Sequence, residues 1–145
     1  MTNRPFMNRQ SEISTRRARI LLIDEEAQDL TNLRQIMEGQ GFEVFTCMSH
    51  DGGVQLLGRQ SFDCVVVSQG SLAFEGRKVL DRITQLDRRV PVLVLTRCMD
   101  MPCYLEAMQM GAIDYLEKPV SEKDLVNFVR AHARRERVME QGGAA

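Results

Sequence analysis

A chain of 145 residues with a formal net charge of −1 and 43% hydrophobic residues is the size of one domain and can bury an ordinary core. That composition excludes a disordered chain; no apolar run nears the roughly 18 residues of a membrane span, and the polar N-terminus lacks a signal-peptide core. A cytoplasmic protein without membrane contact is the expectation. Cys47, Cys64, Cys98 and Cys103 have no C-x-x-C spacing, so they read as reduced thiols rather than metal or redox ligands. Charge is uneven: residues 1–19 carry +4, residues from Arg130 onward carry +2, and the stretch between carries −7. Neither basic end has interleaved aromatics, so both read as solvated termini and nucleic acid is not an expected partner.

The first apolar run, Arg19–Ile23 ("RILLI"), is short and nearly continuous and predicts a buried strand. Leu30, Leu33 and Met37 then recur at helical spacing, and Gly39 and Gly41 end that helix. Phe42–Cys47 predicts a second strand, and Ser49–Gly58 a helix weakened by Gly52 and Gly53. Asp63–Val67 is the third strand; after a polar loop, Val79, Leu80, Ile83 and Leu86 mark the next helix. Val90–Leu95 is the fourth strand, and Pro102 and Gly111 bracket the helix after it. Ile113–Leu116 is a short fifth strand. Ser121–Asp124 ("SEKD") resembles a capping box and opens a last helix with Leu125, Phe128, Val129 and His132 on one side.

Continuous apolar strands joined through helices predict a parallel sheet covered on both faces, an α/β doubly wound fold. Ligands and chemistry in such folds gather at the carboxyl ends of the strands. There this chain places Asp24, Glu25 and Glu26 after the first strand, Ser68, Gln69 and Gly70 after the third, Thr96 and Arg97 after the fourth, and Lys118 and Pro119 after the fifth. Adjacent acids suit a hard cation such as magnesium, while a threonine hydroxyl and a lysine ammonium suit a phosphoryl group. His50 and His132 stand isolated in the sequence, and no role is assigned to either.

From Arg19 to Arg135 the chain resembles the receiver domain of bacterial response regulators, on "LLIDEE", "VLVLT" and "GAIDYLEKPV". The last motif, with "AMQMGA" before it, is similar to the nitrogen-regulation branch. The resemblance implies a flavodoxin-like five-stranded sheet in order 2-1-3-4-5. It implies that Asp24 and Glu25 are metal-side acids, Thr96 a switch hydroxyl, Tyr115 a switch aromatic, and Lys118 a phosphate-contacting cation ahead of a cis Lys118–Pro119 bond. It divides the chain into a basic arm over residues 1–18, the receiver-like domain over 19–135, and a tail over 136–145.

The departure lies on the third strand. Receivers end that strand in the aspartate that accepts the phosphoryl group, and a gap-free alignment puts Ser68 in that column. Asp63 stands at the opposite end of the strand, and Glu75 lies seven residues beyond Ser68 on a loop. A carboxylate is ionised at neutral pH, whereas a serine hydroxyl needs a general base and gives a stable ester. Losing one anionic ligand also weakens magnesium, so no cofactor is expected to be required. Arg97, where receivers usually carry a small residue, is expected to fill the cleft and pair with Asp24 or Glu25.

With this departure, the resemblance implies a non-enzymatic receiver that signals through protein contacts in a two-component or phosphorelay pathway without aspartyl phosphorylation. Its expected partners are a histidine kinase or a downstream effector. The expected surface is the helix 4–strand 5–helix 5 face, with Tyr104, Met108, Tyr115, Lys123 and Asn127, and a homodimer is compatible with it. The alternative is a working phosphoacceptor modified at another residue, since Thr96 and Lys118 are both present. A nucleotide-binding or hydrolytic protein would need a glycine-rich phosphate loop, which is not seen. Transcription control by this chain alone is not expected.

Overall fold

The computed structural model of the chain describes residues 16–86 and 88–144. Most of the basic arm expected over residues 1–18 lies outside them. Among the described residues five strands and five helices alternate: β1 Arg19–Ile23, α1 Ala27–Gly39, β2 Glu43–Cys47, α2 His50–Arg59, β3 Cys64–Ser68, α3 Arg77–Gln85, β4 Val92–Thr96, α4 Met101–Gln109, β5 Asp114–Glu117 and α5 Glu122–Ala144. All four strand pairings are parallel, as the apolar runs predict, and the sheet order is β2-β1-β3-β4-β5, as the resemblance implies.

Every residue of β3 and β4 is buried, which is why they read as continuous apolar runs rather than alternating ones. Side chains still alternate between the two faces. Leu21, Ile23, Val65, Val67, Val92 and Val94 pack with Leu57, Val79, Leu80, Ile83 and Ala107 from α2, α3 and α4. Ile20, Leu22, Cys64, Val66, Leu93 and Leu95 pack with Leu30 and Met37 of α1 and with Leu125, Phe128 and Val129 of α5. Full burial of such a side chain stabilises the fold by about 1.5–3 kcal/mol. A one-residue slip would exchange the two faces of a strand, so packing on both sides fixes the register.

Several boundaries shift from those predicted. The third strand begins at Cys64 and includes Ser68 as its last residue; β4 takes in Thr96. Asp63 stands just before the strand, where its carboxylate accepts from the backbone N–H of Arg19 at 2.7 Å. Ser49 caps α2 by accepting from the N–H of Gly52 at 3.0 Å, which starts that helix despite its two glycines. Ser121 accepts from the N–H of Asp124 at 3.0 Å, the cap that "SEKD" predicts. The helical backbone of α5 continues to Ala144, past residue 135 where the receiver-like stretch was expected to end. The four cysteines form no disulfide. No helix among the described residues is long and apolar enough to cross a membrane.

Sheet order places the site. The chain runs outward from β1 to β2, then returns past β1 to β3, so β1 and β3 flank the point where the winding reverses. Ile23 pairs with Val67, Ser68 with Leu95, and Thr96 with Glu117. The residues just past these pairs therefore meet at one end of the sheet.

Candidate functional site

The chain leaves β1 at Asp24, whose side chain is 1% exposed. Its Oδ1 accepts from the backbone N–H of Glu26 at 2.9 Å, a tight local turn that starts α1. The turn sends successive acids to opposite sides. Glu26 falls on the side of Asp29, which lies in the first turn of α1. Carboxylate oxygens of Asp24, Glu26 and Asp29 all lie within 4.8 Å of one another. Glu25 faces away from that group, toward the end of β3.

Lys118, directly after β5, reaches into the acidic group with a side chain only 9% exposed. Its ammonium donates to Asp24 at 2.7 Å and to Asp29 at 2.9 Å, and stands 3.6 Å from Glu26. Burial works against its charge, but hydrogen bonds to Asp24 and Asp29 outweigh that and raise its pKa. The Lys118–Pro119 bond is cis, as the resemblance implies.

Arg97 meets the same acids, but not those expected. Its Nε donates to Glu26 Oε1 at 2.5 Å, and its Nη2 donates both to Glu26 Oε2 and to Asp29 at 3.1 Å. The expected partners were Asp24 and Glu25. Lys118 already covers Asp24, and Glu25 points to β3, so the guanidinium closes over the acids of the α1 entrance. Arg97's hydrogen bonds hold the pKa of Glu26 below the ordinary carboxylate range. Those same bonds raise the pKa of Arg97 itself.

Ser68, 6% exposed, ends β3. Its hydroxyl donates to Glu25 Oε1 at 3.0 Å and accepts from the N–H of Gly70 at 3.2 Å. Gly70 turns with φ +86, and a Cβ there would collide with Glu75, so the turn beneath Ser68 requires glycine. Glu75 accepts from the backbone and hydroxyl of Ser71, which lower its pKa and keep it on the loop.

His50 was missed by sequence reasoning. It opens α2, is buried, and its Nε2 lies 2.8 Å from the Ser68 carbonyl. A carbonyl only accepts, so Nε2 carries the proton. Its Nδ1 stands 3.7 Å from Glu25.

The Thr96 hydroxyl donates to the Cys98 carbonyl at 2.9 Å and accepts from the Cys98 N–H at 3.2 Å. Tyr115 is buried beneath the expected interaction face rather than on it. Its hydroxyl donates to Gln69 Oε1 and accepts from the N–H of Asp100 at 3.3 Å. Desolvation raises its pKa. Gln69, 2% exposed, was placed at this sheet end by the sequence but given no role there; it ties the end of β3 through Tyr115 to the start of α4.

Chemically the site is a set of oxygen donors with a lysine and a hydroxyl at one sheet end. Asp24, Glu26 and Asp29 are the donor type a hard divalent cation takes. Here each of those carboxylates already meets a protein cation, Lys118 or Arg97.

Comparison with known proteins gives the same family. The family model for the response regulator receiver domain matches residues 20–130. The transcriptional regulatory protein FixJ of Bradyrhizobium diazoefficiens is 29% identical over 120 residues, covering 83% of this chain and 58% of FixJ. The alginate biosynthesis transcriptional regulatory protein AlgB of Pseudomonas aeruginosa is 34% identical over 115 residues, 77% of this chain and 25% of AlgB. The chain thus spans between a quarter and about six-tenths of these relatives. The crystal structure of a response regulator receiver domain protein from Clostridium thermocellum superposes with a TM-score of 0.76 at 30% identity, covering 84% of this chain and 98% of that one. A CheY-like receiver domain protein from Methanospirillum hungatei superposes with a TM-score of 0.78 at 22% identity, covering 86% and 98%, which shows the shared fold. With the sheet order, the strand-end acids and lysine, and the family match in agreement, the chain belongs to the response regulator receiver domain family.

Proposed function

We propose that this chain is a receiver-fold interaction module in a two-component or phosphorelay pathway whose state is not set by aspartyl phosphorylation. One observation carries this reading. The last residue of β3, which faces the strand-end acids, is Ser68, and its hydroxyl is held between Glu25 and the N–H of Gly70. Glu75, the nearest carboxylate along the following loop, is committed to Ser71. A carboxylate would offer an ionised nucleophile; the Ser68 hydroxyl would need its proton removed by Glu25, a group the cleft uses as its hydrogen-bond acceptor. The module belongs with the nitrogen-regulation-like receivers on its "GAIDYLEKPV" segment.

The partner is a histidine kinase or a downstream effector, engaged through α4, β5 and α5. On that face Lys123 and Asn127 are exposed, Tyr104 and Met108 are half-buried, and Met101 and Leu105 add exposed apolar surface at 64% and 50%. A second reading, a phosphoacceptor modified at another residue, is favoured by Lys118 and Thr96 standing at the same sheet end. Intact-mass spectrometry after incubation with acetyl phosphate and magnesium separates the two. The first reading expects an unchanged mass; a stoichiometric phosphoryl gain that hydroxylamine removes establishes the second.

A further inference from the structure

We propose that Arg97 is a built-in counter-ion that takes the place of a divalent cation, so that this cleft holds its acids together without metal. The proposal rests on the reading of the cleft as a receiver site that works without phosphorylation. The resemblance implied a magnesium site on Asp24 and Glu25, and the geometry disagrees with it on both counts.

First, the acids are already answered. Asp24 accepts from Lys118 and from the N–H of Glu26. Glu26 receives two donors from the Arg97 guanidinium. Asp29 receives both Lys118 and Arg97. Two fixed cations thus face three carboxylates. A guanidinium presents its donors in a planar fork that matches one carboxylate while reaching a second.

Second, the remaining candidate ligand is turned elsewhere. Glu25 accepts from Ser68 and lies beside His50, on the opposite side of the turn from Asp29. Ser68 offers a neutral hydroxyl already used in two hydrogen bonds. A magnesium ion wants near-octahedral oxygen ligands and gives up its water reluctantly. To enter here it would have to displace Arg97, or share the acids with it and be repelled by it.

Arg97 also joins distant parts of the chain. It stands directly after β4, and Glu26 and Asp29 stand at the start of α1, 71 and 68 residues away. Its bonds therefore brace the β4–α4 connection against the α1 entrance, the two segments that a cation at this sheet end would otherwise hold together.

The test is a magnesium titration by calorimetry on the full chain, comparing the parent with Arg97→Ala and Arg97→Lys. Arg97 is largely exposed, so neither variant threatens folding. Removing a unit charge within a few ångströms of a divalent ion should tighten magnesium binding by about tenfold in Arg97→Ala. Arg97→Lys, which keeps the charge, should stay near the parent. Equal affinities in the parent and Arg97→Ala would overturn the proposal, as would submillimolar binding by the parent. The readout is affinity for magnesium alone, so it fails or holds independently of whether acetyl phosphate modifies the chain.

Discussion

Replacing Ser68 with aspartate should destabilise the chain at neutral pH, and magnesium held between the new carboxylate and Glu25, on the side of the turn away from Arg97, should return much of the loss. The Ser68 hydroxyl donates to Glu25 at 3.0 Å. A carboxylate in its place exchanges that hydrogen bond for two negative charges a few ångströms apart. Unit charges 4 Å apart interact by about 1 kcal/mol in bulk water and about 4 kcal/mol at an effective dielectric constant of 20. Glu25 is 46% exposed, so solvent screening favours the lower part of that range. A loss of about 1–2 kcal/mol follows, or roughly 3–8 °C in Tm for a domain of this size. Lys118 and Arg97 cannot relieve the clash, because both are committed to the acids across the turn. Thermal unfolding with and without magnesium measures the effect. Ser68→Asn serves as the uncharged control of similar shape; it should lose less stability and respond little to the metal. If Ser68→Asp proves as stable as Ser68→Asn without magnesium, and equally indifferent to it, Ser68 does not face the acids as described.

Lys118→Met should lower stability by about 3 kcal/mol, because it strands the buried Asp24 carboxylate without its cation; chemical denaturation would show it as a drop in midpoint with an unchanged slope. Tyr115→Phe should cost about 1–2 kcal/mol, since Gln69 is left with a buried acceptor that nothing satisfies. In the variant, amide exchange at Asp100 should also accelerate, because Tyr115 accepts from that N–H. Acid should weaken the fold through Glu26. Its folded pKa is depressed, chiefly by the Arg97 hydrogen bonds, so its contribution is full above the ordinary carboxylate value of about 4.3 and is lost as pH falls through the lower folded value. Glu26→Gln should therefore flatten the acid limb of a stability–pH curve, and a curve that keeps the parent's slope would remove Glu26 from that limb.

The fold was legible because its strands are short apolar runs separated by helices, a pattern that only a sheet covered on both faces accommodates. Strand ends were less so. Asp63 looked like a strand residue until its carboxylate was seen capping the Arg19 N–H. Asp24, Ser68, Thr96 and Lys118 could be assigned to one sheet end because each ends or directly follows a strand. Asp29 could not: it enters the site through the first turn of α1, where only the local turn at Asp24 decides which acids share a side. That turn also separates Glu25 from Glu26, which is why Arg97 meets Glu26 and Asp29 rather than the expected Asp24 or Glu25. His50 lies 18 residues from Ser68, and only the start of α2 against the end of β3 brings them together. Gln69 is an ordinary polar residue in sequence; its role comes from burial beside Tyr115.

On the proposed reading, this cleft is satisfied by its own side chains and does not change state with metal and a phosphodonor. Backbone amide NMR spectra of the full chain, recorded before and after adding magnesium and then acetyl phosphate, test it most directly. The amides of Glu25, Ser68, Gln69, Thr96 and Lys118 lie at the sheet end where either addition would act. These resonances should stay in place through both additions. A new set of resonances at these positions, appearing with acetyl phosphate and disappearing after hydroxylamine, would contradict it.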